Sequence, residues 1–177
     1  GKKTKEISRS HKLIREKSGL ITIIGGKWTT YRKMAQDTLD LAIRYMHIPT
    51  KDCITERYQI HGSRKNPDFS DPLYVYGTDA DEIRNLVASS PAMAEKLHPD
   101  YAYTVGEVTW LVRNEMPRTL EDVLARRLRI LFLDARAAMA MAPKVAGILA
   151  TEWGKDETWT SAQVKAFNEV ASNYILN

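Results

Sequence analysis

The 177-residue chain holds a single cysteine, Cys53, so no internal disulfide can form, and the sequence reads as that of a protein of a reducing compartment. Long apolar runs are missing as well. No stretch approaches the roughly 20 residues that a membrane span needs, and the basic N-terminal end lacks the apolar segment of a secretory signal. The four histidines, His11, His47, His61 and His98, are too far apart for a metal-ligand signature, and no metal site is predicted. Walker loops, G-x-S-x-G, EF-hand loops, paired catalytic carboxylates and G-x-G-x-x-G are all absent. These absences leave a globular chain, 44% hydrophobic and 27% charged, whose chemistry must come from something other than a familiar short motif.

Charge is unevenly placed. Lys2, Lys3, Lys5, Arg9, Lys12, Arg15, Lys17, Lys27, Arg32 and Lys33 face only Glu6 and Glu16 over residues 1–33, giving +8 there against +4 for the whole chain. The remainder is therefore net −4. Such an end suits an anionic partner, whether a phosphate ester, a nucleotide, a lipid headgroup or a nucleic acid. Its bland alternative is a solvated tail.

The stretch Gly19–Met46 organises the rest. Leu20-Ile21-Thr22-Ile23-Ile24 reads as a strand, Gly25-Gly26 as a turn, and Thr29-Thr30 as the entry to a helix over 30–46 with apolar residues at helical spacing. Ser8 to Ile24 is predicted to form a β-hairpin, marginal when alone, and the chain offers no other convincing strand. Lys27, Arg32 and Lys33 sit at the positive end of the helix dipole, which costs roughly 0.3–1 kcal/mol per cation unless an anion or electron-rich oxygen is held there. The alternative reading puts Arg32 and Lys33 in water, with the glycines merely turning the chain.

Residues 48–77 read as an irregular linker with a short extended piece at 54–60, anchored by Phe69, Tyr74 and Tyr76. From Thr78 the chain is predicted helical: to Ser89, then from Ser90-Pro91 to Leu97, then from a Thr104–Glu107 capping box to Met116. A strong helix starts at Thr119, with Arg127 inside its apolar stripe, either paired with a carboxylate such as Glu115 or lying at the stripe edge. Asp134 caps or kinks the chain, Pro143 opens a further helix to Trp153-Gly154, and Thr160-Ser161 caps the last one. The predicted class is mainly α: a domain of about six helices over 78–177, preceded by a β-hairpin and one long helix. Cys53, without a neighbouring base, reads as inert.

The run Gly19-Leu20-Ile21-Thr22-Ile23, Gly25-Gly26-Lys27-Trp28-Thr29-Thr30-Tyr31-Arg32 and Met34-Ala35 resembles a signature of FAD-dependent glycerol-3-phosphate dehydrogenases and the related α-glycerophosphate oxidases. Ser8-Arg9-Ser10-His11 is similar to the family's S-R-x-H stretch. Arg118–Arg127 with Leu131–Ala135 is similar to its C-terminal helical domain. The resemblance covers nearly the whole chain and implies a C-terminal fragment. Residues 1–47 would be the last piece of an FAD-binding domain, 48–77 a linker and 78–177 an all-α C-terminal domain, with the N-terminal FAD domain as the missing partner.

It further implies oxidation of sn-glycerol 3-phosphate to dihydroxyacetone phosphate, with hydride passing to FAD and electrons to quinone or oxygen. The fragment alone would be inactive. Gly25 and Gly26 would approach the flavin, the amides around Thr29 and Thr30 would face its N1–C2=O edge, Lys27 would sit by flavin and substrate as a catalytic cation, and Arg9 would hold the substrate phosphate. The catalytic base is not among these residues. With no EF-hand extension, the chain reads as a bacterial, cytoplasmic type, peripheral at most on the inner face of the cytoplasmic membrane. A homodimer through the helical domain fits the same reading. The competing readings are a non-catalytic helical interaction module and a phosphate- or nucleic-acid-binding module; no specific nucleic acid is expected, because aromatic residues are not interleaved with the cations.

Overall fold

A computed structural model describes residues 10–175. The chain divides into two compact units between Ile60 and His61. In the first, β1 (His11–Arg15) and β2 (Ile21–Gly25) pair antiparallel, with His11 opposite Gly25 and Arg15 opposite Ile21. Gly19, at φ +91°, closes the hairpin turn, and the turn is tied by Glu16 N–H to Leu20 O at 2.9 Å. A short 3-10 turn, Trp28–Thr30, leads into α1 (Tyr31–Tyr45). The expected hairpin and helix are therefore present, and the structure is mainly helical, as anticipated. Leu39, on the anticipated apolar face of α1, is instead 61% exposed. No residue of α1 is buried, and none is buried from 10 to 60. The extended piece expected at 54–60 forms turns.

The second unit holds every buried residue described. Its helices are α2 (Ala80–Ala88), α3 (Pro91–Ala94), α4 (Val105–Asn114), a π-helical stretch Asp122–Arg127, α5 (Ile130–Leu133), α6 (Ala135–Trp153) and α7 (Glu157–Ala171). The apolar α6 is the central element. Ala138, Met141, Ala142, Val145, Ala146 and Leu149 are fully buried on it, and it packs on α4, α5 and α7. Side chains cap the helices where the sequence offered oxygens at their starts. Ser90 Oγ accepts from Met93 N, Thr104 Oγ1 from Glu107 N at 3.2 Å, Asp134 Oδ1 from Ala137 N at 2.9 Å, and Asp156 Oδ1 from Trp159 N at 2.8 Å. The last of these moves the start of α7 from the expected Thr160 back to Asp156.

Two expectations are corrected here. Pro143 opens no helix; it lies exposed inside the continuous α6, where the burial of nine other residues of that helix outweighs one lost backbone hydrogen bond. The helix expected from Thr119 is broken instead. Its first part widens into the π turn and ends at Arg129, which adopts a left-handed φ of +59°. Arg127 pairs with Glu115 as expected, with Nε 3.1 Å from Glu115 Oε2, and its Nη1 donates to Asp122 O at 2.9 Å. Of the expected linker anchors, Tyr76 packs on the core and donates its hydroxyl to Glu107 at 2.7 Å, whereas Phe69 is exposed, with its ring edge-on to Tyr74.

Glu107 is 4% exposed. Burial pushes its carboxyl above the ordinary 4.5, against the Tyr76 hydroxyl and the Thr104 amide, which pull it down. The folded chain thus keeps a proton that the unfolded chain releases, so stability is fully present below about pH 4.5 and falls as pH rises toward the folded value. Glu107→Gln retains an oxygen to accept the Tyr76 bond and removes the titration. Denaturant unfolding at stepped pH should show a flatter profile in the variant, lacking a slope of at most about 1.4 kcal/mol per pH unit. An unchanged slope would place the pH dependence on another group.

Candidate functional site

The strand–glycine–helix stretch of the first unit is built from the backbone up. Gly25 and Gly26 have φ +80° and +84°, a region that side chains disfavour, so the tight turn itself requires them. A Cβ on Gly26 would stand 2.4 Å from Met34 Sδ and 3.4 Å from His11 Cβ. The missing side chain therefore lets the turn close on α1 and β1, which adds an internal reason for glycine to the expected close approach of a ligand. After the turn, Thr30 clasps Lys27: its hydroxyl accepts from Lys27 N–H at 3.1 Å and donates to Lys27 C=O at 2.9 Å, and its own N–H reaches the same carbonyl at 2.9 Å. The Thr30 amide is thus committed internally. The amides of Trp28 and Thr29 stand at the head of the helix, where no preceding turn supplies a carbonyl.

Of the three cations expected to converge on that head, two do not. Lys33 Nζ pairs with Asp37 Oδ1 at 2.9 Å, and Arg32 Nη1 donates to Gln36 Oε1 at 3.1 Å and Thr55 Oγ1 at 3.3 Å. Both lie down the helix, one turn on, where partners at i+4 were available. Lys27 is exposed and has no carboxylate partner among the described residues. No acidic residue occupies the first turn of α1 or of the 3-10 segment before it. Trp28, 88% exposed, and Tyr31, 64% exposed, flank the head with ring centroids 5.8 Å apart. The donor set is two amides and one ammonium with no opposing carboxylate, beside uncovered aromatic and aliphatic surface. That chemistry fits the electron-rich edge of a flavin. Arg9, the expected phosphate ligand, lies outside the described residues.

Spacing did not reveal one pair. His11 Nε2 lies 2.9 Å from Asp37 Oδ2, tying β1 to α1 across 26 positions. The Lys33 ammonium, followed by His11, holds the Asp37 carboxyl below its ordinary range, burial opposing them. Elsewhere, His61 Nε2 meets Asp79 at 2.8 Å, and no metal-binding cluster occurs among the described residues. Cys53 is exposed, and the Thr55 hydroxyl beside it at 3.0 Å lowers its thiol pKa, so its surroundings differ from those of a buried inert thiol.

Residues 20–160 match the model of a family described as the C-terminal domain of alpha-glycerophosphate oxidase. Among curated proteins, the chain is 34% identical to a probable mitochondrial glycerol-3-phosphate dehydrogenase of Caenorhabditis elegans, over 98% of this chain and 26% of the relative. It is 34% identical to the protein of the same name from Dictyostelium discoideum (98% and 29%) and 30% identical to the mitochondrial glycerol-3-phosphate dehydrogenase of Mesocricetus auratus (97% and 26%). The chain therefore spans between a quarter and a third of the length of these relatives. Their names overturn the expected cytoplasmic placement, since all three are called mitochondrial. They are also eukaryotic, so the bacterial assignment has no support. No described helix is long and apolar enough to cross a membrane.

Proposed function

Because the chain belongs to the family of the C-terminal domain of alpha-glycerophosphate oxidase, we propose that it is the C-terminal part of an FAD-dependent enzyme oxidising sn-glycerol 3-phosphate to dihydroxyacetone phosphate. The observation that carries this reading is a first unit that has no buried residue among those described and nonetheless presents a built helix head, with donors, a lysine without a carboxylate partner among the described residues, and bare aromatic surface. A lone hairpin and helix gain little from such an arrangement. As the edge of a larger flavin-binding fold, the same pieces acquire a ligand and a sheet to join. In this reading residues 1–47 complete the FAD-binding domain, 48–77 connect, and 78–177 form the helical C-terminal domain.

FAD, when bound, supplies the two-electron acceptor for the hydride leaving substrate C2; quinone or oxygen takes the electrons onward. The residues of this chain bind and orient. The Gly25-Gly26 turn sets the height of the helix head. Trp28 and Thr29 amides offer hydrogen bonds to the N1–C2=O edge, where negative charge develops. Thr30 fixes the Lys27 backbone, so that the ammonium is held as a nearby cation for the flavin edge and the substrate. Arg9, two residues before the His11 that is tied to Asp37, supplies a fork for the substrate phosphate. The relatives' names favour a mitochondrial setting, and the helical domain is suited to a homodimer contact. A nucleic-acid module is the weaker reading, since Arg32 and Lys33 already have partners within the chain.

The purified 177-residue chain should be colourless and should not reduce an acceptor dye with glycerol 3-phosphate, whereas the longer gene product that contains it should be yellow and active. A chain that is yellow and active by itself, or a colourless, inactive longer product, would sink the assignment.

A further inference from the structure

The helical unit carries a cavity unrelated to the flavin reading. It encloses about 410 Å³, within the range of small-ligand sites, roughly 300–1,000 Å³. Three local irregularities meet around it. The π-helical turn Asp122–Arg127 widens the chain on one side, a feature frequent at functional sites. Arg129, which ends that stretch, holds a left-handed backbone that a side chain disfavours. At the inner wall, the Tyr76 hydroxyl donates to the carboxyl of the almost wholly buried Glu107, which burial drives toward its uncharged form.

The lining divides by chemistry. Tyr74, Val75, Phe132 and Leu133 give an apolar wall that stays largely open to solvent, Leu133 at 72%. Arg127 on the lining is neutralised by Glu115 and held by two backbone carbonyls. The Arg129 guanidinium is exposed and has no carboxylate or carbonyl partner among the described residues. One unpaired planar cation thus stands at an apolar cavity.

We propose that this cavity is a binding site for a short amphipathic carboxylate, its head on the Arg129 guanidinium and its hydrocarbon body against Val75, Phe132 and Leu133. The planar fork matches a carboxylate bidentately, and the exposed apolar wall is the surface that a hydrocarbon would cover. Glu107 and Tyr76, already bonded to each other, close the inner end without leaving a free charge against the hydrocarbon.

Hexanoate titrated into the ¹⁵N-labelled 177-residue chain, followed by amide shifts, tests this. Saturable shifts are expected at Val75, Tyr76 and Leu128–Leu133. Hexanol should bind the same residues about tenfold more weakly, having lost a charge-assisted hydrogen bond, and inorganic phosphate should leave them unmoved. Arg129→Gly removes the cation and suits the left-handed backbone, so the variant should melt at or above the parent temperature while losing about tenfold in hexanoate affinity. Non-saturable or scattered shifts, equal binding of hexanol, phosphate reproducing the shifts, or undiminished binding in a folded Arg129→Gly chain would each overturn the proposal.

Discussion

Lys27→Ala in the longer enzyme is expected to lower kcat/KM for glycerol 3-phosphate by about a hundredfold, in the range found when one preorganised charge or donor is removed from an active site. The argument rests on what surrounds the residue. Among the described residues, Lys27 alone of the three cations near the helix head is not drawn off by a neighbour, since Lys33 goes to Asp37 and Arg32 to Gln36 and Thr55. Its backbone is pinned by Thr30 on both its N–H and C=O groups, so the ammonium swings from a fixed point. Thr30→Val frees that point but leaves the charge, and should cost less, about tenfold. The flavin spectrum should persist in both variants. Unchanged kinetics in Lys27→Ala with bound flavin would remove Lys27 from the site; loss of flavin from Thr30→Val with normal turnover of the remainder would make the clasp purely structural.

The contrast among these cations shows where the sequence was readable. Gly19, Gly25 and Gly26 punctuate the hairpin and its exit, and the period of three to four after Thr30 marks α1, because turn chemistry and helical spacing are local. The pairing of Lys33 was missed although the signal was present: Asp37 lies four positions on, and the i,i+4 rule applies without tertiary knowledge. The His11–Asp37 contact was not legible, since no spacing rule links a strand residue to a helix residue 26 positions away. The break at Arg129 was hidden for a related reason. Leu120, Val123, Leu124, Leu128, Leu131, Phe132 and Ala135 read as one helical stripe, and all but the exposed Phe132 are buried, on both sides of the break. The burial of these residues is met by a π turn and a left-handed arginine where local pattern dictated continuity. Pro143 erred in the opposite direction, because a strong local breaker was overruled by the apolar surroundings of α6.

Leu149→Ala should destabilise the 177-residue chain by about 2–5 kcal/mol, a large part of a typical domain's 5–15 kcal/mol. Leu149 is fully buried on α6, the helix on which α4, α5 and α7 pack, so the vacated volume has rigid walls and little means of collapse. Leu39→Ala, on the 61% exposed position of α1, should leave the same chain within about 0.5 kcal/mol of the parent. Urea unfolding measures both, and a cost below about 1 kcal/mol for Leu149→Ala would mean that the helical unit does not set the stability of the chain. The pair becomes more informative in the longer protein. If α1 there packs against the rest of an FAD-binding domain, Leu39 becomes an interior residue, and its truncation should move from neutral toward the same 2–5 kcal/mol class, at about the cost of Leu149→Ala. A Leu39→Ala that stays neutral in the longer protein would mean that the bare face of α1 is solvent-facing by design, and the hairpin and helix would then need a different explanation from the one that a larger fold provides.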